Sequence, residues 1–337
     1  MRSTYIQMKK FVSVILCTHN PRPDYLRRAL EALQKQTLPV EKWEFLLIDN
    51  ASQDRVANTW DISWHPQGRH VLEEKVGLTF ARLRGIEESQ SPLLAFVDDD
   101  NVLAPDFLER AVALPTRYPF LGTFGAGRLE PEFEVPLPLQ LTSGLGLLAL
   151  RTVPTALWTN NVEDFYCTPC GAGLCVTRQV AEAYQELIER FNATSVIGRR
   201  EKKLFSGEDD VFSWAAVMVG QGFGIFPELQ ITHLISAGRL TESYSVRLTR
   251  DHALSHGVLT YLRSGILPKR IDLPGYVHLL LHGLRNGYFS MRCRWAEARG
   301  QAGAARFILE NALRPVHLRV SLRETPLKPE EAKRFGA

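Results

Sequence analysis

Two acidic runs are the first candidates for chemistry in this 337-residue chain: Asp98-Asp99-Asp100 and Glu208-Asp209-Asp210. Clustered carboxylates cannot hold a diphosphate directly. They hold Mg2+ or Mn2+, and the cation then meets the phosphate charge. Asp98 and Asp100 stand two apart beyond the apolar run Leu93-Leu94-Ala95-Phe96-Val97. A turn there lets both face one crevice while Asp99 points away between them. Glu208-Asp209-Asp210 precedes Val211-Phe212-Ser213-Trp214-Ala215-Ala216, which reads as an amphipathic helix. Acids at that position also cap a helix and offset its dipole, an effect of about 1 kcal/mol. Cys167, Cys170 and Cys175 offer three thiols to zinc, but no second C-x-x-C or His pair accompanies them. Burial as small apolar side chains is the default expectation for them.

The elements that must position these groups follow from the hydrophobic pattern. Residues 11–17 are short, apolar and β-rich, as in a strand buried on both faces, and far short of the ~20 residues that span a bilayer. A polar turn, Thr18-His19-Asn20-Pro21, leads to a helix with Pro23 in its first turn. Leu26, Leu30 and Leu33 keep helical spacing to about Gln36. Phe45-Leu46-Leu47-Ile48 is a second strand, ending at Asp49-Asn50-Ala51-Ser52; a helix covers about 78–89; Leu93–Val97 is a further strand. This β-α-β-α-β order predicts an α/β sheet whose strand ends converge on one crevice, where ligands of open α/β sheets bind. Neither G-x-G-x-x-G nor a P-loop follows the first strand, which argues against dinucleotide and P-loop binding modes.

Composition sets the outer bounds. Hydrophobic residues make 45% and charged residues 23%, which excludes disordered and collagen-like chains. The net charge is +3, yet residues 261–337 hold 14 Lys and Arg against 6 Asp and Glu. An acidic body with a basic C-terminal segment suits an anionic surface such as a membrane, or simply a solvated helix face. Five cysteines with no recognisable secretory signal point to a reducing, cytoplasmic setting, in which the Asn192-Ala193-Thr194 sequon carries no meaning.

Six segments in order complete the picture: Val14-Ile15-Leu16-Cys17-Thr18-His19-Asn20; Asp49-Asn50-Ala51-Ser52-Gln53-Asp54; Gly77-Leu78-Thr79-Phe80-Ala81-Arg82; Asp98-Asp99-Asp100; Cys170-Gly171-Ala172-Gly173; and Gly207-Glu208-Asp209. Together they resemble the family 2 glycosyltransferases of the GT-A fold, from about Val12 to His233. The family's opening strand and T-x-N turn, its I-V-D-D-x-S-x-D segment, G-x-x-x-A-R, D-x-D, G-A-x and G-E-D are matched in turn. The Arg-Asn that often follows the Ala is here Arg82-Leu83, so only the Arg carries over.

The resemblance implies a Rossmann-like nucleotide-diphospho-sugar transferase domain: α/β, with a mixed central sheet and a C-terminal helical extension. It implies donor contacts from Thr18, Asn20, Asp49, Arg82, Asp98 and Asp99, with Asp49 on the nucleobase, commonly uracil. It makes Asp100 a direct ligand of Mn2+ or Mg2+. His233, after the strand-like Ile225–Thr232, is a further candidate ligand, since imidazole suits Mn2+. Gly171, Ala172 and Gly173 lie on the acceptor side, and Asp209 is the general base of inverting transfer, with Glu208 the first alternative. The basic run 198–203 reads as a solvated loop or as a flap over the donor.

The expected organisation is a catalytic domain over 1–240, its donor half about 1–105 and its acceptor half about 106–240. A basic, mainly helical extension covers 241–337. Residues 130–160 read as a long insertion, and helices are expected from Ser243 to about Ser264 and through Tyr276, Leu280, Leu284 and Tyr288. The expected partners are a nucleotide-sugar donor, a UDP-sugar on the family pattern, a glycan or lipid-linked acceptor, and an inner membrane surface; no nucleic acid is expected. A sugar nucleotidyltransferase is the rival reading, though it usually needs a basic Gly-rich N-terminal loop. A non-catalytic nucleotide-binding module is the other, and intact Asp98, Asp100 and Asp209 weigh against it.

Overall fold

Strand-forming runs and helical stripes alternate along the chain, and the computed structural model, which describes residues 11–191, 206–268 and 285–315, follows them. The order begins β1 (Val12–Thr18), α1 (Pro23–Gln34), β2 (Trp43–Asn50), α2 (Val56–Thr59), β3 (Gly68–Glu73), α3 (Leu78–Glu88), β4 (Leu93–Asp98) and β5 (Asn101–Leu103). It continues with α4 (Phe107–Arg117), β6 (Leu121–Phe133), β7 (Arg151–Thr152), β8 (Leu157–Thr159), β9 (Leu174–Thr177) and α5 (Arg178–Arg190). Then come α6 (Glu208–Met218), β10 (Gly222–Ile235), α7 (Glu242–Ser264) and α8 (Tyr288–Glu310).

All ten strands form one mixed sheet in the order β3-β2-β1-β4-β9-β6-β10-β5, with β7 on β6 and β8 on β10. The first four are parallel to one another, and β9 is antiparallel to both β4 and β6. Side chains alternate across the sheet with the period of two that a strand imposes. Ile15, Cys17, Leu46, Ile48, Leu94 and Phe96 face one core, with α5 and α6. Val14, Leu16, Phe45, Leu47, Ala95 and Val97 face the other, with α1 and α4. Val258, Leu259 and Leu262 of α7 and Ala304 and Ile308 of α8 join the first core, so the described part of the C-terminal extension shares the apolar core that holds α5 and α6.

Three differences from the sequence reading have physical causes. β2 extends past Ile48 because Asp49 and Asn50 keep pairing with Leu72 and Glu73 of β3. β3 itself was not expected: it sits at the sheet edge and buries only Val71, so its hydrophobic signal is faint. Residues 130–160 are not a plain insertion, since β7 and β8 pair with β6 and β10 around the 3-10 segment Leu139–Leu148. The expected helix through Tyr276, Leu280 and Leu284, like the 198–203 run and the 192–194 sequon, lies outside the described residues, while Tyr288 opens α8. No helix among the described residues is long and apolar enough to cross a membrane.

Candidate active site

Adjacent parallel strands carry their polar C-terminal residues to one edge, so β2, β1 and β4 bring Asp49, Thr18 and Asp98 side by side: Thr18 pairs with Asp49 in register, and Cys17 with Asp98. The Asp49 carboxylate accepts from the backbone N–H groups of Ser52 and Val56, both at 3.0 Å, and so fixes the turn after β2. Asn50 does the same for the next connection, accepting from the Gly77 N–H at 2.8 Å and donating to the Lys75 carbonyl at 2.7 Å. Asn20, held in the left-handed region at φ 49°, ties the β1 turn to the β2 turn. Its N–H donates to the Ser52 hydroxyl at 2.9 Å and its Oδ1 accepts from the Gln53 N–H at 2.8 Å. His19 Nδ1 lies 2.6 Å from the Asn50 carbonyl.

The acidic triplet after β4 splits by direction. The Thr18 hydroxyl donates to Asp99, which is thus turned in toward β1 rather than away from the site. Burial, reinforced by the charges of Asp100 and Asp98, pushes the Asp99 carboxyl up to about 7 despite that hydrogen bond. Asp98 reaches toward the buried Arg82, 3.8 Å away. Asp100 faces the other side, where its Oδ2 is 2.9 Å from Arg239 Nη1 and 3.3 Å from His233 Nε2. His233 arrives because β10 runs antiparallel to β5, with Thr232 opposite Val102 and His233 opposite Asn101.

Arg82 joins the two acidic runs. Its guanidinium, with 4% of the side chain exposed, lies 3.4 Å from Glu208 Oε2. Burial alone would lower its pKa, but Glu208 and Asp98 outweigh it and hold the group charged above the ordinary arginine range. Glu208 also accepts from the Tyr184 hydroxyl at 3.1 Å. Burial raises the Glu208 carboxyl, while Arg82, Thr79 and Tyr184 oppose that shift. Gly171 allows the arrangement: a Cβ there would stand 2.6 Å from Arg82 Nη2. Gly173, at φ +67°, would drive a Cβ to 2.3 Å from the Ile231 Cδ1 atom. Ala172 between them is buried.

Asp209 and Asp210 follow in the first turn of α6, where acids suit the helix dipole. Asp210 lines a small cavity with Phe165, Trp214, His252 and Arg263. Burial and the neighbouring Asp209 raise its carboxyl above the ordinary value. Asp209 is half-buried, with its carbonyl accepting from the Ser213 hydroxyl at 3.0 Å.

The donor chemistry would fit a divalent cation: one carboxylate oxygen of Asp100 and one imidazole nitrogen of His233 converge, a pair that Mn2+ would accept. Among the described residues no three His, Cys, Asp or Glu side chains form a metal site by themselves. Zinc at the cysteines finds no support: Cys175 lies inside β9, Cys170 Sγ is 2.9 Å from Arg151 Nη2, and all five cysteines are free. The contacts of Arg239 and Tyr184 were not foreseen. Arg239 follows a strand by four residues in a polar turn, and nothing in its spacing marks it.

Comparison with known proteins agrees with this geometry. Residues 13–172 match the family model described as Glycosyl transferase family 2. The chain is 35% identical over 106 residues to Glycosyltransferase AglE of Haloferax volcanii, covering 31% of this chain and 34% of that protein. It is 28% identical over 101 residues to EpsH of Bacillus subtilis, named as a glycosyltransferase, covering 29% and 28% respectively. The chain thus spans about a third of the length of these curated relatives. The mannosyltransferase PcManGT from Pyrobaculum calidifontis, solved in complex with GDP-Man and Mn2+, shares the fold at a TM-score of 0.51 and 18% identity, over 90% of this chain and 76% of that one. The sheet shares the GT-A fold and carries its acidic turns to a single edge, and over residues 13–172 the chain is similar to the family 2 glycosyltransferases.

Proposed function

We propose that this chain transfers a sugar, with inversion, from a nucleoside diphosphate sugar to a hydroxyl of a glycan or lipid-linked acceptor. The observation that carries the reading is the bridge from Asp98 through Arg82 to Glu208, which gathers acidic runs 110 residues apart around one crevice. Asp49 and the turn it fixes suit a nucleobase and ribose; the uracil of a UDP-sugar is the expected base, and guanine is the alternative to exclude. Asp100 and His233 would hold Mn2+ or Mg2+ with help from Asp98. Bound there, a divalent cation supplies charge neutralisation for the leaving diphosphate.

Asp209 takes the proton of the acceptor hydroxyl as its oxygen bonds to the anomeric carbon. The bond from that carbon to the diphosphate oxygen breaks on the opposite face, and its electron pair leaves with the diphosphate. Arg82 and Tyr184 engage the Glu208 carboxyl, which leaves the base role to Asp209. A lipid-linked acceptor is supported by a groove of 580 Å³ between α7 and α8, where Arg247, Arg250, Arg292 and Arg299 lie beside Tyr288 and Trp295.

The test is a thermal melt with UDP, GDP, TDP or CDP, each with Mn2+ or with EDTA, followed by assay of diphosphate release from the matching sugar nucleotide. Metal-dependent stabilisation by one nucleotide, with turnover, supports the reading. Stabilisation without turnover on any sugar of that nucleotide favours a binding module instead.

A further inference from the structure

We infer that Arg239 is a built-in place-holder for the divalent cation: its guanidinium occupies the vertex formed by Asp100 and His233, and metal loading displaces it.

The three atoms form a small triangle. Arg239 Nη1 is 2.9 Å from Asp100 Oδ2 and 3.2 Å from His233 Nε2, and those two acceptors are 3.3 Å from each other. A guanidinium only donates, and Asp100 Oδ2 accepts from it. His233 Nε2 stands within reach of both groups. In the tautomer that keeps a lone pair at Nε2, the imidazole accepts from Arg239, and that lone pair is also what a metal ion requires. Arg239 thus fills the place a metal would take between these two side chains.

Its own bonding is incomplete, which suits a group with a second position. Arg239 Nε is buried with no hydrogen-bond partner among the described residues. The residue ends a single 3-10 turn, Ala237–Arg239, pinned on either side rather than at the guanidinium. The Ala237 N–H donates to Glu134 at 2.7 Å, and Leu240 packs in the apolar cluster with Leu141 and Leu148. A cavity of 370 Å³ opens beside the side chain, lined by Leu141, Leu147, Ser245 and Thr249, with room for it to leave the vertex.

The inference rests on the reading of Asp100 and His233 as half of a metal site, and its test needs neither nucleotide nor turnover. MnCl2 alone is titrated into the free protein, and unbound Mn2+ is read by electron paramagnetic resonance. Removing a competing occupant restores the binding-competent fraction, so Arg239→Met gains about tenfold or more in Mn2+ affinity over wild type. Arg239→Gln, which keeps N–H donors without the charge, gains similarly and guards against misfolding of the first variant. Arg239→Lys keeps a cation and stays near wild type. Adding Asp100→Ala to Arg239→Met abolishes the gain. Unchanged or weaker Mn2+ affinity in the folded Met and Gln variants overturns the inference, and so does a Lys variant that gains as much as they do. A gain that survives Asp100→Ala overturns the half-site on which it rests, whereas the nucleotide melts test the transferase reading separately.

Discussion

The two acidic runs have nearly the same composition and divide their labour differently. At Asp98-Asp99-Asp100 a strand has just ended, and neighbours still alternate. Asp98 and Asp100 reach Arg82 and the His233–Arg239 pair, while the middle residue turns in to Thr18. At Glu208-Asp209-Asp210 a helix has just begun, and each residue turns about 100° from the last. There Glu208 is engaged by Arg82 and Tyr184 and Asp210 lines a small cavity, and on the proposed reading the middle one is left for chemistry. On the proposed reading, the useful position in each acidic triplet follows the element beneath it: the ends over a strand, the centre over a helix start.

Asp209→Asn breaks the comparison most sharply if it is wrong. It removes a base without removing a donor contact, so the transfer rate falls by about 10²- to 10⁴-fold while nucleotide binding holds. A single-turnover assay beside a nucleotide melt separates the two, and retained transfer would return the base role to Glu208. Next comes the link between the runs. Arg82→Met strands Glu208 in a buried site, and the loss of one buried partner costs about 3–5 kcal/mol of stability. Urea unfolding measures it. Glu208→Gln, which keeps its contact with Tyr184, loses less.

The residues that were legible in the sequence are those whose signals are local. β1, β2 and β4 declare themselves as apolar runs, and Asp98, Asp100 and Asp49 stand where such runs stop. What escaped is non-local or weakly patterned. The contact of Arg82 with Glu208 crosses 126 residues, and that of Arg239 with Asp100 crosses 139. No periodicity encodes either, because each depends on the path of β9, β6 and β10 across the sheet. Asp99 was misjudged for a related reason: alternation tells that it opposes its neighbours, but only the register of β1 against β4 reveals that Thr18 waits on that side.

Two smaller effects sharpen the contrast. Asp99 has a folded pKa near 7 against an ordinary 3.8, so the folded state binds more protons between those values. Its contribution to stability is therefore complete below about pH 4, declines as pH rises toward 7, and levels off above. Asp99→Asn flattens that decline in urea melts taken at intervals across the window; an unchanged slope would mean that Asp99 does not face Thr18 in solution.

Asp210 gives the smallest expected effect and the strictest test of the helix rule. It is one residue from the proposed base, equally acidic, and raised by burial and by Asp209. If chemical type and sequence position alone chose the base, Asp210→Asn would cost as much as Asp209→Asn. If the helical turn chooses, Asp210 points among Trp214, His252 and Arg263, and its neutral isostere leaves transfer within about tenfold of wild type, well short of the loss of a general base. Because burial raises the Asp210 carboxyl from the ordinary 3.8 to about 8, the Asn variant also gains stability relative to wild type as pH rises from about 4 to about 8, and no further above that. A loss of transfer comparable to Asp209→Asn, in a protein that still binds nucleotide, would mean that α6 presents two acids to the acceptor rather than one.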